Sequence, residues 1–298
     1  MHQPTPDDVR RAIETALDSL KENSTDAEIA FFGGSFTALD RSYMISLLDA
    51  AVPYIDRFRG VRISTRPDAV DAEVLDLLRG YHVTSIELGA QSMSDRVLSM
   101  NDRGHTADDV RRAAALIRAC GFELGLQMMT GLYGSTPDLD RMTAREFIRL
   151  HPATVRIYPT IVMNGTHLGE LYRSGQYVPQ ELDSAVELCA ELLTLFTGQG
   201  IRVIRVGLHD TPTLARDMLA GPYHPAFREL CESRILLNAT LSLLQGKTAG
   251  EYTLAVHPRS RSKLAGNKKS NLTALRERGY TLHIIEDDRM EPLAAALL

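Results

Sequence analysis

Short β-branched, apolar segments alternate along the chain with longer segments whose apolar residues recur at helical spacing. The short segments predict strands at 27–32, 61–65, 83–88, 122–129, 154–158 and 201–206. They read as nearly continuous apolar runs, which is typical of strands covered on both faces. Strands that alternate with helices indicate a parallel sheet, open or closed, and its ligand lies at the carboxyl ends of the strands. We therefore expect functional residues at those strand ends.

Capping residues mark where the helices begin. Thr5 precedes Pro6, and Asp8 stands three residues after Thr5, so a helix is predicted from Pro6 to about Leu20. Further helices are predicted at 70–79, 108–120 and 180–196.

The pattern changes after residue 220. A long helix at 226–244 precedes a strand at 252–256, a basic loop, a helix at 270–278 and a last strand at 280–285. We predict two domains, a barrel at 1–220 and a small α+β appendage at 221–298.

Composition narrows the class of protein. With 298 residues, 44% of them hydrophobic, the chain can bury a large core. Its three cysteines are far apart, which indicates reduced thiols, and no apolar run approaches the roughly 20 residues of a membrane span. We expect a cytoplasmic protein without a membrane partner. A net charge of -5 argues against whole-surface attraction to nucleic acid but leaves room for a local basic patch.

Glycine and polar residues follow the first two predicted strands. Two adjacent glycines let a ligand approach the backbone, and free amide groups there can bind the polar end of an amino acid, although a simple tight turn is the alternative. After the second strand, polar side chains can reach a ribose, or form only a capped loop with a surface Arg66–Asp68 pair. The candidate residues are Gly33, Gly34, Ser35, Thr37, Ser64 and Arg66.

The next strand ends add amide and guanidinium groups. Gln91 follows the third strand, Arg103 comes twelve residues later, and Gln127 lies near the end of the fourth strand. Glu87 and Gln91 near the third strand end, with Arg103 nearby, suit a zwitterionic ligand whose carboxylate needs a fork of donors.

Seven phrases occur in a fixed order: FFGGSFTAL, ISTRPD, IELGAQSM, RGHTADDV, LGLQMMTGL, VRIYPT and GPYHPAF. Together they make the chain similar to the radical S-adenosylmethionine proteins related to the catalytic subunit of Elongator. The resemblance runs from Pro4 into the C-terminal appendage. It implies an α/β fold, a partial (β/α)6 barrel of the radical-SAM type whose first strand is missing here, followed by the small α+β appendage.

The resemblance also implies a cofactor site. Gly33, Gly34 and Ser35 would contact the methionyl amino group of S-adenosylmethionine, and Gln91 and Arg103 its ribose and carboxylate region. Acidic residues of related coproporphyrinogen oxidases are replaced here by Ser64 and Gln127, which favours the Elongator-like branch over a porphyrin substrate. The full predicted cofactor-binding set is Gly33, Gly34, Ser35, Thr37, Ser64, Arg66, Gln91, Arg103 and Gln127.

The motif that holds the family's four-iron four-sulfur cluster, C-x-x-x-C-x-x-C, does not occur in this sequence. We expect Cys120, Cys189 and Cys231 to be partly buried apolar residues, and we assign no metal ligand. In the family the cysteine loop lies just before the residues that match Thr5 and Pro6. We therefore expect a chain truncated after that loop, from a parent enzyme that binds the cluster and takes an electron donor. A natural pseudo-enzyme is the competing hypothesis.

Candidates on the substrate side are Arg156, Tyr158 and His224. They can line the barrel mouth, and His224 can transfer protons there. A structural hydrogen bond is the alternative role for a histidine between prolines.

Basic residues cluster in the appendage, where phosphate oxygens can meet side chains and amide groups. The predicted RNA contacts are Arg259, Arg261, Lys263, Lys268 and Lys269. A solvated helix face is the alternative.

The leading hypothesis is the body of a radical S-adenosylmethionine enzyme that acts on RNA, specifically tRNA, and that is inactive as given without cluster cysteines. A noncatalytic RNA-binding protein on a retired barrel and an ordinary non-radical barrel enzyme remain as alternatives.

Overall fold

The computed structural model describes residues 3–298. Within that range the α-helices are α1 (Pro6–Leu20), α2 (Arg41–Ala51), α3 (Ala72–Gly80), α4 (Asp95–Met100), α5 (Ala107–Ala119), α6 (Pro137–Arg149), α7 (His167–Arg173), α8 (Leu182–Thr197), α9 (Pro212–Asp217), α10 (Phe227–Leu244), α11 (Arg261–Ala265) and α12 (Ser270–Glu277). The strands are β1 (Glu28–Phe31), β2 (Gly60–Thr65), β3 (Val83–Gln91), β4 (Glu123–Thr130), β5 (Thr154–Pro159), β6 (Val162–Met163), β7 (Arg202–Val206), β8 (Met218–Ala220), β9 (Gly250–Val256), β10 (Tyr280–Glu286) and β11 (Ala295–Leu297).

Six of these strands form one sheet in the order β1-β2-β3-β4-β5-β7. The pairs β1–β2, β2–β3 and β3–β4 are parallel, with Ile29 opposite Val61 and Ile63 opposite Ile86. Helices connect successive strands, as expected for βα units. The six predicted strands of the barrel are confirmed, each within a few residues of its predicted bounds.

One face of the sheet is apolar and buried. Every residue of β2 is buried, and Val61, Ile63, Ile86, Leu88 and Leu124 are each at most 2% exposed. Helix α5 packs against β3 and β4. Burial of these side chains is the main source of stability for this layer.

The other face of the sheet carries charged and polar side chains that contact one another. We call this set the polar face; its members are Glu28, Arg62, Ser64, Ser85, Glu87, Glu123, Gln127 and Arg156. The strands were expected to be nearly continuous apolar runs, but β1 to β5 carry this polar set on one face, and Arg62, Ser64, Ser85 and Glu87 in it are buried. Residues alternate across a strand, so the polar positions within these short runs all point the same way.

Two helix caps form at the residues predicted from the sequence, Thr5 and Thr106. The Thr5 hydroxyl and Asp8 close the start of α1, with the Thr5 N–H donating to the Asp8 carboxylate at 2.9 Å. Thr106 and Asp109 form the same reciprocal box at α5. Each box satisfies backbone N–H groups that have no partner inside the helix.

The chain divides into two compact units between Arg156 and Ile157. In the second unit, β10, β9 and β11 form a separate sheet, and β6 pairs with β8. A small core of this unit joins Leu236 of α10 to Leu254 and Val256 of β9. The predicted helices and strands of the appendage are confirmed, but α11 lies within the predicted basic loop, and β6, β8 and β11 were not predicted. The predicted domain boundary at 220 stays a prediction.

Candidate functional site

The glycine turn after β1 has an open backbone. Gly33 has a φ of +107°, a value that favours glycine. In the described part of the chain, no atom lies within 4 Å of the point where a Cβ would stand at Gly33 or Gly34. Both glycines and Ser35 line a cavity of about 250 Å³. The turn thus offers room for a ligand close to the backbone.

The Thr37 hydroxyl contacts other groups of the protein. Its hydroxyl lies 2.6 Å from the Thr65 hydroxyl and donates to the Ala69 carbonyl at 2.5 Å. The side chain therefore ties the loop after β1 to the loop after β2. Its predicted contact with a cofactor stays a prediction.

The end of β3 holds a strained turn at Gln91. The Ser92 N–H donates to the Ala90 carbonyl at 2.7 Å, and Gln91 between them has a φ of +63°. This is a γ-turn with positive φ at its centre, an uncommon and strained conformation. A Cβ at Gly89 would lie 2.9 Å from the Gln91 Nε2 atom, so the glycine leaves room for that amide.

A buried histidine supports this turn. The Nε2 atom of His105 lies 3.2 Å from the Ala90 carbonyl oxygen, and its Nδ1 atom lies 3.2 Å from the carbonyl oxygen of Arg103. Both partners are carbonyl oxygens, and which of them receives the ring N–H depends on the tautomer of the imidazole. The ring thereby links the backbone of the Gln91 turn to the backbone of Arg103. Sequence reasoning included His105 in a motif but gave it no role.

Arg103 is half-buried and has no carboxylate partner among residues 3–298. Its Nη2 atom lies 3.3 Å from the Met129 sulfur, and its Nε atom is buried without any hydrogen-bond partner in the described structure. Burial lowers the pKa of this guanidinium. A half-buried guanidinium with a buried N–H that has no partner in the described structure favours an anionic ligand.

Arg66 has its partner nearby. Its guanidinium forms a two-point contact with the Asp68 carboxylate, and the pKa of Asp68 is lowered mainly by this hydrogen bond. The sequence alternative of an Arg66–Asp68 pair is thus present in the structure. A cofactor contact by Arg66 stays a prediction.

Ser64 and Gln127 are brought together on the polar face. The Gln127 amide donates to the Ser64 hydroxyl at 3.1 Å and to the Glu87 carboxylate at 3.0 Å. Glu87, which the sequence grouped with Gln91 and Arg103 as candidates for a zwitterionic ligand, is 1% exposed and contacts Gln127 and Arg156 of the polar face.

Two arginines neutralise this buried region. Arg156 donates to Glu87 through Nε at 2.6 Å and through Nη2 at 3.1 Å. Arg62 contacts Glu28, Glu87 and Glu123. Burial lowers the pKa of Arg62, but its bonds and attraction to these carboxylates outweigh burial, and the net pKa is raised.

The other two predicted catalytic residues lie in the second unit. Tyr158 is half-buried on β5. His224 accepts a hydrogen bond at Nδ1 from the Ala226 N–H at 3.0 Å, which fixes its own turn. It also lines a cavity of about 280 Å³ with Ser233, Lys263 and other residues of this unit. Proton transfer by His224 stays a prediction.

The basic side chains predicted to contact RNA differ in whether they pair with a carboxylate. Lys263 forms an ion pair with Glu232 at 2.6 Å, and Arg261 contacts Glu286 at 3.0 Å. Arg259, Lys268 and Lys269 have no acidic partner in the described range of residues. Lys268 and Lys269 both have positive φ, directly before α12.

The described residues provide no metal centre. Cys189 and Cys231 are buried and Cys120 is half-buried, and none of the three forms a disulfide within residues 3–298. Burial raises the pKa of the Cys231 thiol well above its usual value. Across residues 3–298, no group of three His, Cys, Asp or Glu side chains is placed to hold a metal ion.

Asp140 is a buried carboxylate that the sequence did not reveal. It is 1% exposed, accepts from the Gly131 N–H at 3.0 Å, and accepts from the Ser135 hydroxyl at 2.6 Å. Burial raises the pKa of Asp140 to about 6, against the opposing effect of these hydrogen bonds. The residue anchors the loop after β4.

Among the described residues, no helix has the length and apolar character needed to cross a membrane.

Comparison with known proteins gives relatives of one kind. The chain is 27% identical over 257 residues to tRNA uridine(34) acetyltransferase of Dehalococcoides mccartyi, covering 76% of this chain and 56% of that protein. It is 32% identical over 243 residues to human (Homo sapiens) Elongator complex protein 3, covering 74% of this chain and 43% of that protein. The chain thus spans about half the length of these relatives.

Solved structures agree on the fold. The archaeal Elp3 of Methanocaldococcus infernus with an N-terminal deletion matches with a TM-score of 0.67 and 24% identity, covering 76% of this chain and 57% of that one. SuiB of Streptococcus suis bound to S-adenosylmethionine matches with a TM-score of 0.51 and 12% identity, covering 72% of this chain and 45% of that one. The predicted partial-barrel α/β fold is confirmed.

Family profiles give the classification. The Radical SAM superfamily matches residues 2–171, and the Radical_SAM C-terminal domain matches residues 152–236. The first match spans more than half of the chain and includes the glycine turn, Gln91, Arg103 and the polar face. The predicted resemblance is confirmed: the chain belongs to the radical S-adenosylmethionine superfamily of enzymes.

Proposed function

We propose that this chain is the cofactor-binding body of a radical S-adenosylmethionine enzyme that acts on tRNA. The observation that carries the proposal is the half-buried guanidinium of Arg103, whose buried Nε atom has no hydrogen-bond partner among residues 3–298. Leaving a buried cation unpaired is costly, so the site favours a ligand with an anionic group. The carboxylate of S-adenosylmethionine is such a group.

The residues present fit this cofactor. Gly33, Gly34 and Ser35 line an open cavity that admits its methionyl amino end. The Gln91 amide and the Arg103 guanidinium hold its ribose and carboxylate region, and His105 contacts the backbone carbonyl groups of Ala90 and Arg103. Given one electron from a reduced iron-sulfur cluster, bound S-adenosylmethionine would release methionine and supply a carbon radical that removes a hydrogen atom from a substrate; the residues named above would not supply that electron. This chain binds the cofactor and orients it.

The residues present do not fit the iron-sulfur cluster of the family. Such a cluster needs three thiolates, and the described residues place no three suitable ligands together. The chemistry of a cluster is therefore not attributed to residues of this chain.

Action on tRNA is supported by the names of the relatives and by the basic residues of the second unit. Arg259, Lys268 and Lys269 have no acidic partner in the described part of the chain, so their charges are available to phosphates. Lys263 and Arg261 already contact carboxylates. RNA contact thus centres on the loop at 266–269.

Cofactor binding is tested by calorimetry with S-adenosylhomocysteine, which has the same carboxylate, ribose and adenine. We expect measurable binding that weakens about tenfold or more in Arg103→Ala, because a charged hydrogen bond is lost. Arg57→Ala removes an exposed arginine of the same unit and serves as the control. Equal affinity of the wild type and Arg103→Ala would overturn the assignment.

RNA binding is tested by fluorescence anisotropy with unmodified tRNA. The double variant Lys268→Glu and Lys269→Glu should bind tRNA more weakly. Its affinity should also depend less on salt concentration, by an amount that corresponds to about two phosphate contacts. Arg57→Glu with Arg145→Glu makes the same change in net charge elsewhere. If both double variants lost the same affinity for tRNA, the loss would be a general effect of charge, and the assignment of RNA contact to this loop would be wrong.

A further inference from the structure

Phe32 is an exposed aromatic ring at the mouth of the glycine turn. It directly precedes Gly33 and is 46% exposed, whereas most large apolar side chains of the sheet are buried. It lines the same cavity of about 250 Å³ as Gly33, Gly34 and Ser35. Because the ring lines this cavity, a ligand that enters the cavity can contact it.

The neighbouring phenylalanine shows the contrast. The Phe31 ring packs on Phe36 with ring centroids 4.7 Å apart, and Phe36 is 5% exposed. Phe31 therefore has a packing role that accounts for it. Phe32 has no ring partner of this kind in the described structure.

Phe32 contacts a cation. The guanidinium carbon of Arg156 lies 4.7 Å from the centroid of the Phe32 ring. This distance is within the range of a cation–π interaction. The contact covers part of the ring and leaves nearly half of the side chain open.

Arg156 is itself held in place. Its Nε and Nη2 atoms both donate to the Glu87 carboxylate, at 2.6 Å and 3.1 Å. Glu87 is 1% exposed and also accepts from Gln127 and Arg62. The ring is therefore backed by a rigid, buried network, and a rigid aromatic surface binds a flat ring with little loss of entropy.

We propose that Phe32, backed by Arg156, is a stacking platform for a nucleobase of the RNA substrate. The assignment rests on the proposed action on tRNA and extends it to one side chain. Nucleobases stack on aromatic rings through their faces, and stacking is favourable for every base. A single-stranded loop nucleotide can present its base to such a ring, whereas a paired base cannot.

The probe is an anticodon stem-loop RNA with uridine at position 34, the position that the name of the Dehalococcoides relative gives. A matched hairpin has an abasic site at the same position. Affinities are measured for the wild type, Phe32→Ala and Phe32→Tyr. Val178→Ala, which truncates a side chain that is 81% exposed in the second unit, is the control.

We expect Phe32→Ala to bind the uridine hairpin about tenfold more weakly, since stacking on one base is lost. Phe32→Tyr and Val178→Ala should bind like the wild type. The abasic hairpin should bind the wild type and Phe32→Ala equally. Affinity for S-adenosylhomocysteine should be unchanged in all variants.

Three results separate the possible failures. If the wild type binds the uridine hairpin and Phe32→Ala binds it equally well, the platform is wrong and the proposed action on tRNA stands. The same conclusion follows if Phe32→Ala weakens binding of the uridine hairpin and of the abasic hairpin by the same factor. If Phe32→Ala loses only S-adenosylhomocysteine, the ring belongs to the cofactor site and the platform is overturned. If the wild type binds no hairpin, the proposed action on tRNA fails and the platform fails with it.

Discussion

The imidazole of His105 bonds to the Ala90 carbonyl at 3.2 Å, and that carbonyl is the acceptor of the strained turn at Gln91. The same ring reaches the carbonyl of Arg103. One buried side chain therefore fixes the backbone beside Gln91 and at Arg103, the two residues to which we assign the ribose and carboxylate region of the cofactor.

Replacing His105 should loosen this region. We expect His105→Ala to lower the free energy of unfolding by about 1–3 kcal/mol, because the buried imidazole and its contacts with the Ala90 and Arg103 carbonyl groups are lost. Amide hydrogen exchange at Ser92 should become faster. Urea unfolding and exchange measured by mass spectrometry test both effects. His283→Ala, at an exposed histidine paired with Glu251, is the control, and equal effects of the two variants would contradict the account.

Glu87 should be the most sensitive carboxylate of the polar face. Glu87→Ala leaves the guanidinium groups of Arg62 and Arg156 without their shared buried partner, which costs about 3–5 kcal/mol of unfolding free energy. Glu87→Gln should cost less, because the amide keeps an acceptor. The exposed pair of Arg41 and Glu73 gives the control, since Glu73→Gln should produce no measurable change. Urea titration of the three variants checks this order.

Asp140 should make stability depend on pH. Burial raises its folded pKa from 3.8 to about 6, so the folded state binds more protons than the unfolded state between these values. Its contribution is therefore fully present below about pH 4 and is lost as pH rises through about 6. Relative to Asp140→Asn, the wild type should lose about 2–3 kcal/mol over this interval.

The measurement is urea unfolding of both proteins at four pH values from 4 to 7. A difference between wild type and Asp140→Asn that is constant with pH would show that Asp140 keeps its ordinary pKa.

Gly125 should tolerate no side chain. A Cβ there would lie 2.6 Å from the Glu87 Cγ atom and 2.9 Å from the Thr154 hydroxyl, so Gly125→Ala should cost about 1–3 kcal/mol. Gly80 ends α3 and has no atom of the described chain within 4 Å of its Cβ position. Gly80→Ala should raise stability by up to about 1 kcal/mol. Thermal unfolding of both variants tests the opposite signs, and a stable Gly125→Ala would contradict the packing described for Glu87.

The strands and caps could be predicted because they depend on local sequence. Thr5, Thr106 and the six apolar runs each specify their element within a few residues. The two faces of the sheet were not distinguished, since the runs were read as nearly continuous in apolar residues. In β2, Arg62 and Ser64 alternate with Val61, Ile63 and Thr65, and this period of two was the available signal.

The candidate site could be predicted only as a set of strand-end residues. Gly33, Gly34, Gln91 and Arg103 were all named from the sequence. The strain at Gln91 and the contacts of His105 depend on a γ-turn that no residue pattern specifies. Asp140 could not be recognised, because an acidic residue in the first turn of a helix is ordinary until its burial is known.

The central claim is that the residues at the ends of β1 and β3 bind S-adenosylmethionine. The most direct measurement is a nuclear magnetic resonance titration of the 15N-labelled chain with S-adenosylhomocysteine, which detects weak binding residue by residue. We predict shifts at the backbone amides of Gly33, Gly34 and Gln91 and at the Arg103 Nε–H. Saturating ligand that leaves these signals unchanged, or shifts only signals of the second unit, would contradict the account.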